Sequence, residues 1–209
     1  MDKKMERRKN MIQAAKKLFA EHGFEKTTMQ KIADEANLGV ATLFRYFPKK
    51  EHLMIEVIKE VIEQQVPYFE KIIHSNKSGI EKIDDVLTTY IKYISEENSV
   101  STKLLEAFEL YIAFMPIEAG LLEEINKEYG KIRNIINAIV QQGKHDGSIQ
   151  LSASNELATS TLLNLFGTSV KKYSLYTILP EDVIVPVPKR EELITVKNML
   201  LSFLQQGKS

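Results

Sequence analysis

TTMQKIADEANLGVATLFRYFPKKEHL occupies residues 27–53, and its punctuation decides the fold. Thr28 can cap a helix by accepting a first-turn N–H on its hydroxyl. Behind it Ile32, Ala33 and Ala36 recur at helical spacing, which predicts a short helix over 29–36. Asn37 follows, one of the few residues other than glycine that tolerates a left-handed backbone. Leu38 is expected to plug the corner, and a second short helix is expected over 40–46. Leu43 and Phe47 stand four apart, share a face and point to a core. Val40, Ala41, Phe44 and Arg45 lie away from that face. Pro48 ends the helix, and a longer one opens at Lys49-Lys50-Glu51. Two short helices joined by a tight turn are thus expected, with a third helix leading away.

The flanking sequence supports and extends this stretch. Met11, Ala14, Ala15, Leu18 and Phe19 predict a first helix over 6–22, with Gly23 as its stop. The pattern from Glu51 carries a long helix, to be kinked or ended by Pro67, with helix continuing to His74. Further helices are expected over 80–96, 101–115, 117–142, 153–177 and 189–205. The segment LPEDVIVPVP (179–188) holds three prolines and reads as extended. With about nine helices and no credible strand, the class is all-α. The division is expected at residue 50: a small three-helix head over 1–50 and a larger helical body over 51–209. No flexible linker separates them.

Charge divides along the same line. The chain is neutral, with 28 basic and 28 acidic side chains, yet residues 1–50 hold twelve basic and six acidic ones. A basic head on an acidic body points to a polyanion partner for the head. Lys3, Lys4, Arg7, Arg8 and Lys9 read as a solvated tail, with an arm into a DNA minor groove as the alternative. The chain has no cysteine, which excludes disulfides, thiolate metal sites and cysteine nucleophiles. No apolar run reaches the roughly 18 residues of a membrane span, and no apolar segment follows the basic N-terminus, so a cytoplasmic protein without a membrane partner is expected. Catalysis is poorly supported, and an enzyme is the weakest of the readings. His22, His52, His74 and His145 are scattered, no phosphate loop or nucleophile turn appears, and no metal or cofactor is expected.

Residues 8–55 resemble the N-terminal domain of the TetR family of transcriptional regulators. The resemblance rests on AAKKLFAEHGF (14–24), on Thr27, Thr28, Ile32 and Ala33, and on Thr42-Leu43-Phe44-Arg45-Tyr46-Phe47 followed by Lys50. Three positions depart from the family pattern. Asn37 replaces a frequent glycine, Gly39 a frequent Ser or Thr cap, and Phe44 the usual tyrosine. The resemblance implies a helix-turn-helix head, a homodimer on a palindromic DNA operator, and a body that releases the DNA on binding a small molecule. It also implies pairing through the last two long helices, here with Leu162, Phe166 and Val170 on one and Val196, Leu200 and Phe203 on the other. Thr161, Gly167 and Thr168 are small enough for close approach.

The chemistry of the head agrees with that implication. A short helix fits the major groove while the preceding one braces it. Arg45 is the candidate for a guanine edge, or for a phosphate. Val40 and Ala41 can touch thymine methyls or serve as plain helix positions. Thr28, Gly39, Thr42, Phe44, Tyr46 and Lys50 complete the expected DNA-facing set, with Thr28, Tyr46 and Lys50 on phosphates. One head offers few phosphate contacts, so two are expected on one operator. Tyr68, Tyr90, Tyr93, Phe108, Tyr111, Phe114 and Tyr129 are candidate walls for an apolar or amphipathic ligand, although aromatics at helical spacing are commonly core. The competing reading is an all-α binding protein for small molecules or protein partners, without DNA regulation. The charge excess of the head favours the regulator.

Overall fold

The structure is a computed structural model that describes residues 3–93, 99–176 and 189–205. The described residues form ten helical segments and no strand. They are α1 (Lys3–Lys26), α2 (Met29–Glu35), α3 (Val40–Tyr46), α4 (Lys50–Glu63), α5 (Val66–Ile73), α6 (Gly79–Lys92), α7 (Ser99–Phe114), α8 (Ala119–His145), α9 (Asn155–Tyr176) and α10 (Arg190–Gln205). The all-α expectation holds. The pattern running from Glu51 to His74 is cut into α4 and α5, with Pro67 in the first turn of α5. There its missing N–H removes no helical bond. The expected extended segment 179–188 and the end of the helix expected to reach Glu96 lie outside the described residues.

Two compact units divide the chain: Met1–Gln64 with Lys103–Glu128, and Gln65–Thr102 with Tyr129–Ser209. Helices α7 and α8 contribute residues to both.

In the first unit α1 buries Met11, Ala15, Leu18 and Phe19. Gly23 (φ 76, ψ 168) interrupts it at the expected stop, in a region that glycine enters without a Cβ clash. Phe24 turns back onto Phe19, ring centroids 4.7 Å apart. Thr27, fully buried, donates its hydroxyl to the carbonyls of Gly23 (2.7 Å) and Leu18 (3.2 Å). It thereby satisfies carbonyls that the end of α1 leaves open.

The N-terminal basic residues are not a loose tail. They belong to α1 from Lys3 onward, with Lys3, Lys4, Arg7 and Lys9 exposed along it, so they are ordered as helix. Arg8 pairs with Glu56 at 2.6 Å and lies 5.2 Å from the centroid of the Phe47 ring. Glu56 also takes Lys59 at 3.0 Å, and Lys59 reaches Glu124 at 2.9 Å.

Burial alone would raise the Glu56 pKa, but hydrogen bonds from Arg8 and Lys59 outweigh it and hold the carboxyl below its ordinary 4.5. A group with a depressed folded pKa stabilises the fold above its unfolded pKa, and that contribution is lost as pH falls through the folded value. Glu56→Gln is therefore expected to be less stable than wild type at pH 7 and to close the gap as pH drops below about 4.5. Urea midpoints of the two proteins between pH 7 and pH 3 check this; a constant gap refutes it.

In the second unit α6 opens on Ser78, whose N–H and hydroxyl both donate to the Glu81 carboxylate. The next two N–H groups are taken by the loop after α8. Gly79 donates to Asp146 Oδ2 (2.8 Å) and Ile80 to Ser148 Oγ (3.1 Å). The hydrogen bond from the Ser148 hydroxyl holds the Asp146 carboxyl below its ordinary value against the opposing effect of burial, with smaller help from the Gly79 and Ser148 backbone N–H groups. Gly79 meets Gly143 of α8 so closely that a Cβ on Gly79 would stand 2.2 Å from the Gly143 Cα. Lys82, almost wholly buried, donates to the Ile73 carbonyl and to Gln142 Oε1, each at 2.7 Å. A buried ammonium is tolerated only with such partners.

Candidate nucleic-acid interface

The head is built by backbone chemistry that its sequence announces. Thr28 caps α2 by accepting the Lys31 N–H at 3.3 Å. At the other end Asn37 takes φ 54. Its N–H bonds the Asp34 carbonyl (3.0 Å) and the Leu38 N–H bonds the Ala33 carbonyl (2.9 Å), the paired closure that lets a chain leave a helix through a left-handed residue. Asn10 of α1 donates to the Ala36 carbonyl at 3.1 Å and so ties the turn to the supporting helix. Asn10 was not among the expected site residues. A carboxamide in mid-helix competes for backbone groups and is disfavoured there, which is the signal that could have flagged it.

Beyond the turn α3 runs over Val40–Tyr46, with Gly39 as an N-cap that brings no side chain. Leu43 is fully buried and Phe47 nearly so, Leu38 is half-buried, and Ile32 and Ala33 close the inner side of α2. Ala41, Phe44 and Arg45 are exposed, while Val40, Thr42 and Tyr46 are half-buried. Thr28 and Gly39 are exposed. Lys50 is half-buried, and its ammonium donates to the Phe24 carbonyl. That bond uses one of three N–H groups and leaves two for an anion.

Lys49 and Glu118 form an exposed ion pair at 2.5 Å. Tyr111 Oη donates to Glu51 Oε1 at 3.0 Å, and its ring lies 6.0 Å from Phe24. Burial and then the Glu51 carboxylate push the Tyr111 pKa up to about 12.

The seven candidate ligand residues do not gather in one unit. Phe108, Tyr111 and Phe114 belong to the first. Phe108 is core, Tyr111 is engaged with Glu51, and Phe114 is 78% exposed. Tyr68, Tyr90, Tyr93 and Tyr129 belong to the second. There Gln65, Tyr68, Phe69, Thr89, Tyr90 and Tyr93 line one cleft, with no room for a water molecule. Rings of Tyr68 and Tyr93 stand 6.4 Å apart, and those of Phe69 and Tyr90 5.1 Å. Burial pushes the Tyr90 hydroxyl up, the residue as a whole keeping partial exposure. The Tyr93 hydroxyl is buried, with the Ser101 hydroxyl beside it. Burial raises its pKa too, against a smaller lowering by Ser101. Tyr129 is half-buried on α8.

The pairing helices need a correction. Leu162, Phe166 and Val170 are buried in the chain's own core, Phe166 lying 6.5 Å from the Tyr90 ring. They cannot meet a second copy. Val196 and Leu200 are half-buried. Of the six expected residues, Phe203 is the one left open, at 53%. The exposed apolar side chains are Leu157 and Leu165 on α9 and Ile194, Met199 and Phe203 on α10. Thr161 and Thr168 lie exposed along the Leu157–Leu165 stripe, as close approach would need.

The head and the whole chain match known proteins. Residues 11–57 fit the family described as bacterial regulatory proteins, tetR family. Over 207 residues the chain is 22% identical to the fatty acid metabolism regulator protein of Bacillus subtilis, spanning 99% of this chain and 98% of that protein. Over 167 residues it is 25% identical to the HTH-type transcriptional repressor KstR2 of Rhodococcus jostii, spanning 80% and 79% of the two. The fold is similar to the crystal structure of the transcriptional regulator FadR from Bacillus subtilis in complex with stearoyl-CoA. The TM-score is 0.69 at 20% identity, covering 96% of this chain and 99% of that one. The match over 11–57 covers the capped α2, the left-handed turn, α3 and the first turns of α4, so this N-terminal segment carries the domain of the bacterial regulatory proteins of the tetR family, and the chain as a whole is similar in fold to such regulators.

Proposed function

We propose that the protein is a homodimeric repressor that grips a palindromic operator with two copies of its head and leaves it when an amphipathic small molecule binds the helical body. The observation that carries this is the outward face of α3. Ala41, Phe44 and Arg45 are exposed on a short helix whose opposite side, Leu43, is locked in the core. Such a helix enters a major groove without disturbing its support. In this reading residues 1–50 hold DNA and residues 51–209 pair and sense. Arg45 reads a guanine, Thr28 and Tyr46 give hydroxyls to phosphates, and Lys50 gives its two remaining N–H groups. Gly39, Val40 and Thr42 let the backbone of α3 approach closely.

The second copy is proposed to cover Leu157, Leu165, Ile194, Met199 and Phe203, since an apolar surface of that kind marks an interface. Leu165→Glu combined with Met199→Glu is expected to halve the mass in sedimentation while the helical signal persists. Leu162→Ala, which opens a cavity inside the protomer, should instead cost about 2–5 kcal/mol of stability. Equal loss of pairing in both variants would refute the reassignment of faces.

The ligand class proposed is a long-chain acyl thioester. The likeness over the full length to a fatty acid regulator, and in fold to a protein crystallised with stearoyl-CoA, supports it. The aromatic cleft at Tyr68, Tyr90 and Tyr93 suits an apolar chain, and it must open to admit one. The test is to select bound sequences from random duplex DNA with the full-length protein, then titrate stearoyl-CoA against the selected duplex. Recovery of a palindrome and its release by the thioester support the proposal. Failure to enrich any duplex at low salt sinks the regulator reading, and a palindrome that stearoyl-CoA leaves bound sinks the ligand class alone.

A further inference from the structure

We propose that α3 reads the C5-methyl groups of thymine in its half-site, with Phe44 and Ala41 as the reading side chains, an inference that rests on the regulator reading above. The support is an inventory of what α3 can offer a groove. Three of its seven side chains are exposed, and Arg45 is the charged one. No Asn, Gln, Asp or Glu occurs between Val40 and Tyr46. In the major groove adenine is read by a carboxamide and cytosine by a carboxylate, while guanine suits an arginine. The first two are absent from α3. Thr42 is half-buried and its hydroxyl suits either base, so what marks an A·T pair from this helix is the thymine methyl, and methyls are recognised by apolar contact.

The geometry agrees. Ala41 and Phe44 are three residues apart and Val40 is four before Phe44, so the three share one side of the helix. Phe44 is 46% exposed and makes no ring contact among the described residues. A phenylalanine left that open in a head rich in cations gains by being covered, and the groove floor offers it methyls. A tyrosine at this position would bring a hydroxyl able to bond a phosphate. Phe44 has none, so its contribution to the complex must come through apolar contact.

The experiment replaces each thymine of the selected duplex, one at a time, by deoxyuridine, which removes the C5-methyl and nothing else. Affinity is measured for wild type, Phe44→Ala and Phe44→Leu. At one or two positions of each half-site the wild type should lose about fourfold per methyl, or about fifteenfold when both half-sites are changed, from the transfer value of one buried methyl. Phe44→Ala should erase that loss at the position Phe44 covers, leaving any at the position of Ala41, and Phe44→Leu, still apolar, should keep part of it. Phe44 is exposed, so both variants should keep the wild-type thermal transition. Duplexes whose affinity stays within twofold at every deoxyuridine overturn the proposal, as does a methyl effect that survives undiminished at every position in Phe44→Ala. Enrichment of some duplex shows in the same experiment that the regulator reading stands when the methyl reading falls; no enrichment at all removes both.

Discussion

Gly79→Ala is expected to lower the melting temperature by roughly 6–12 °C, from about 3 kcal/mol of overpacking spread over the unfolding entropy of a chain this long. The added Cβ would meet the Gly143 Cα at 2.2 Å and its nitrogen at 2.4 Å, and the Ile139 carbonyl oxygen at 3.0 Å. All three are backbone atoms, so no side chain can rotate away, and α6 must shift on α8. That shift also stretches the bonds from Gly79 to Asp146 and from Ile80 to Ser148. The entropy alanine removes from the unfolded chain, roughly 0.4–1 kcal/mol, has the opposite sign and is too small to compensate. Gly143→Ala is the control. Its Cβ would meet Ile149 at Cδ1 (2.5 Å), Cγ1 (2.6 Å) and Cβ (3.2 Å), side-chain atoms that can move where backbone cannot, so a smaller loss than at Gly79, about 1–2 kcal/mol, is expected. Calorimetry on both variants checks the order; a milder effect at Gly79 than at Gly143 would show that α6 is free to move.

The second large effect concerns DNA. Arg45→Ala should relax specificity at one base pair of each half-site by about 1–3 kcal/mol, and so by up to about 6 kcal/mol on a palindrome. Lys50→Ala should weaken all duplexes alike and flatten the dependence of affinity on salt by about one charge per head. The two differ because a guanidinium at a base edge discriminates, whereas an ammonium at a phosphate adds an equal term to every sequence. Lys50 carries a further cost, since removing it leaves the Phe24 carbonyl without its donor. Binding curves for matched and single-mismatch duplexes at three salt concentrations separate the cases. Uniform loss in both variants would mean that Arg45 touches a phosphate and reads no base.

Much of the head was legible from residue types with narrow backbone habits. Asn37 was expected left-handed and is, and α3 spans the predicted 40–46. Leu43 and Phe47 are inward as their spacing requires. Such features are local: a cap, a turn and a period depend on a handful of neighbours. The errors came where a side chain had to choose between distant partners. Helix α9 is apolar on two faces, and periodicity does not say which meets the chain's own core. The bulkier set, Leu162, Phe166 and Val170, turned inward, and Leu157 and Leu165 stayed out. The bond from the Tyr111 hydroxyl to Glu51 is equally hidden, since the two lie 60 residues apart. Arg8 was read as part of a loose tail because nothing near it in sequence reveals Glu56 or the Phe47 ring.

The composition of the first compact unit bears on how such proteins can be recombined. Residues 103–128 are as much a part of it as residues 1–64. They supply Tyr111 to Glu51 and Phe24, Glu118 to Lys49 and Glu124 to Lys59. A chimera spliced at residue 50, carrying this head on a foreign body, would cut through that set. It would present Phe24 and the first turn of α4 to side chains never selected to receive them. On the proposed regulator reading, DNA specificity is therefore not a detachable cassette. A graft meant to keep it intact has to carry the turn between α7 and α8 along with the head.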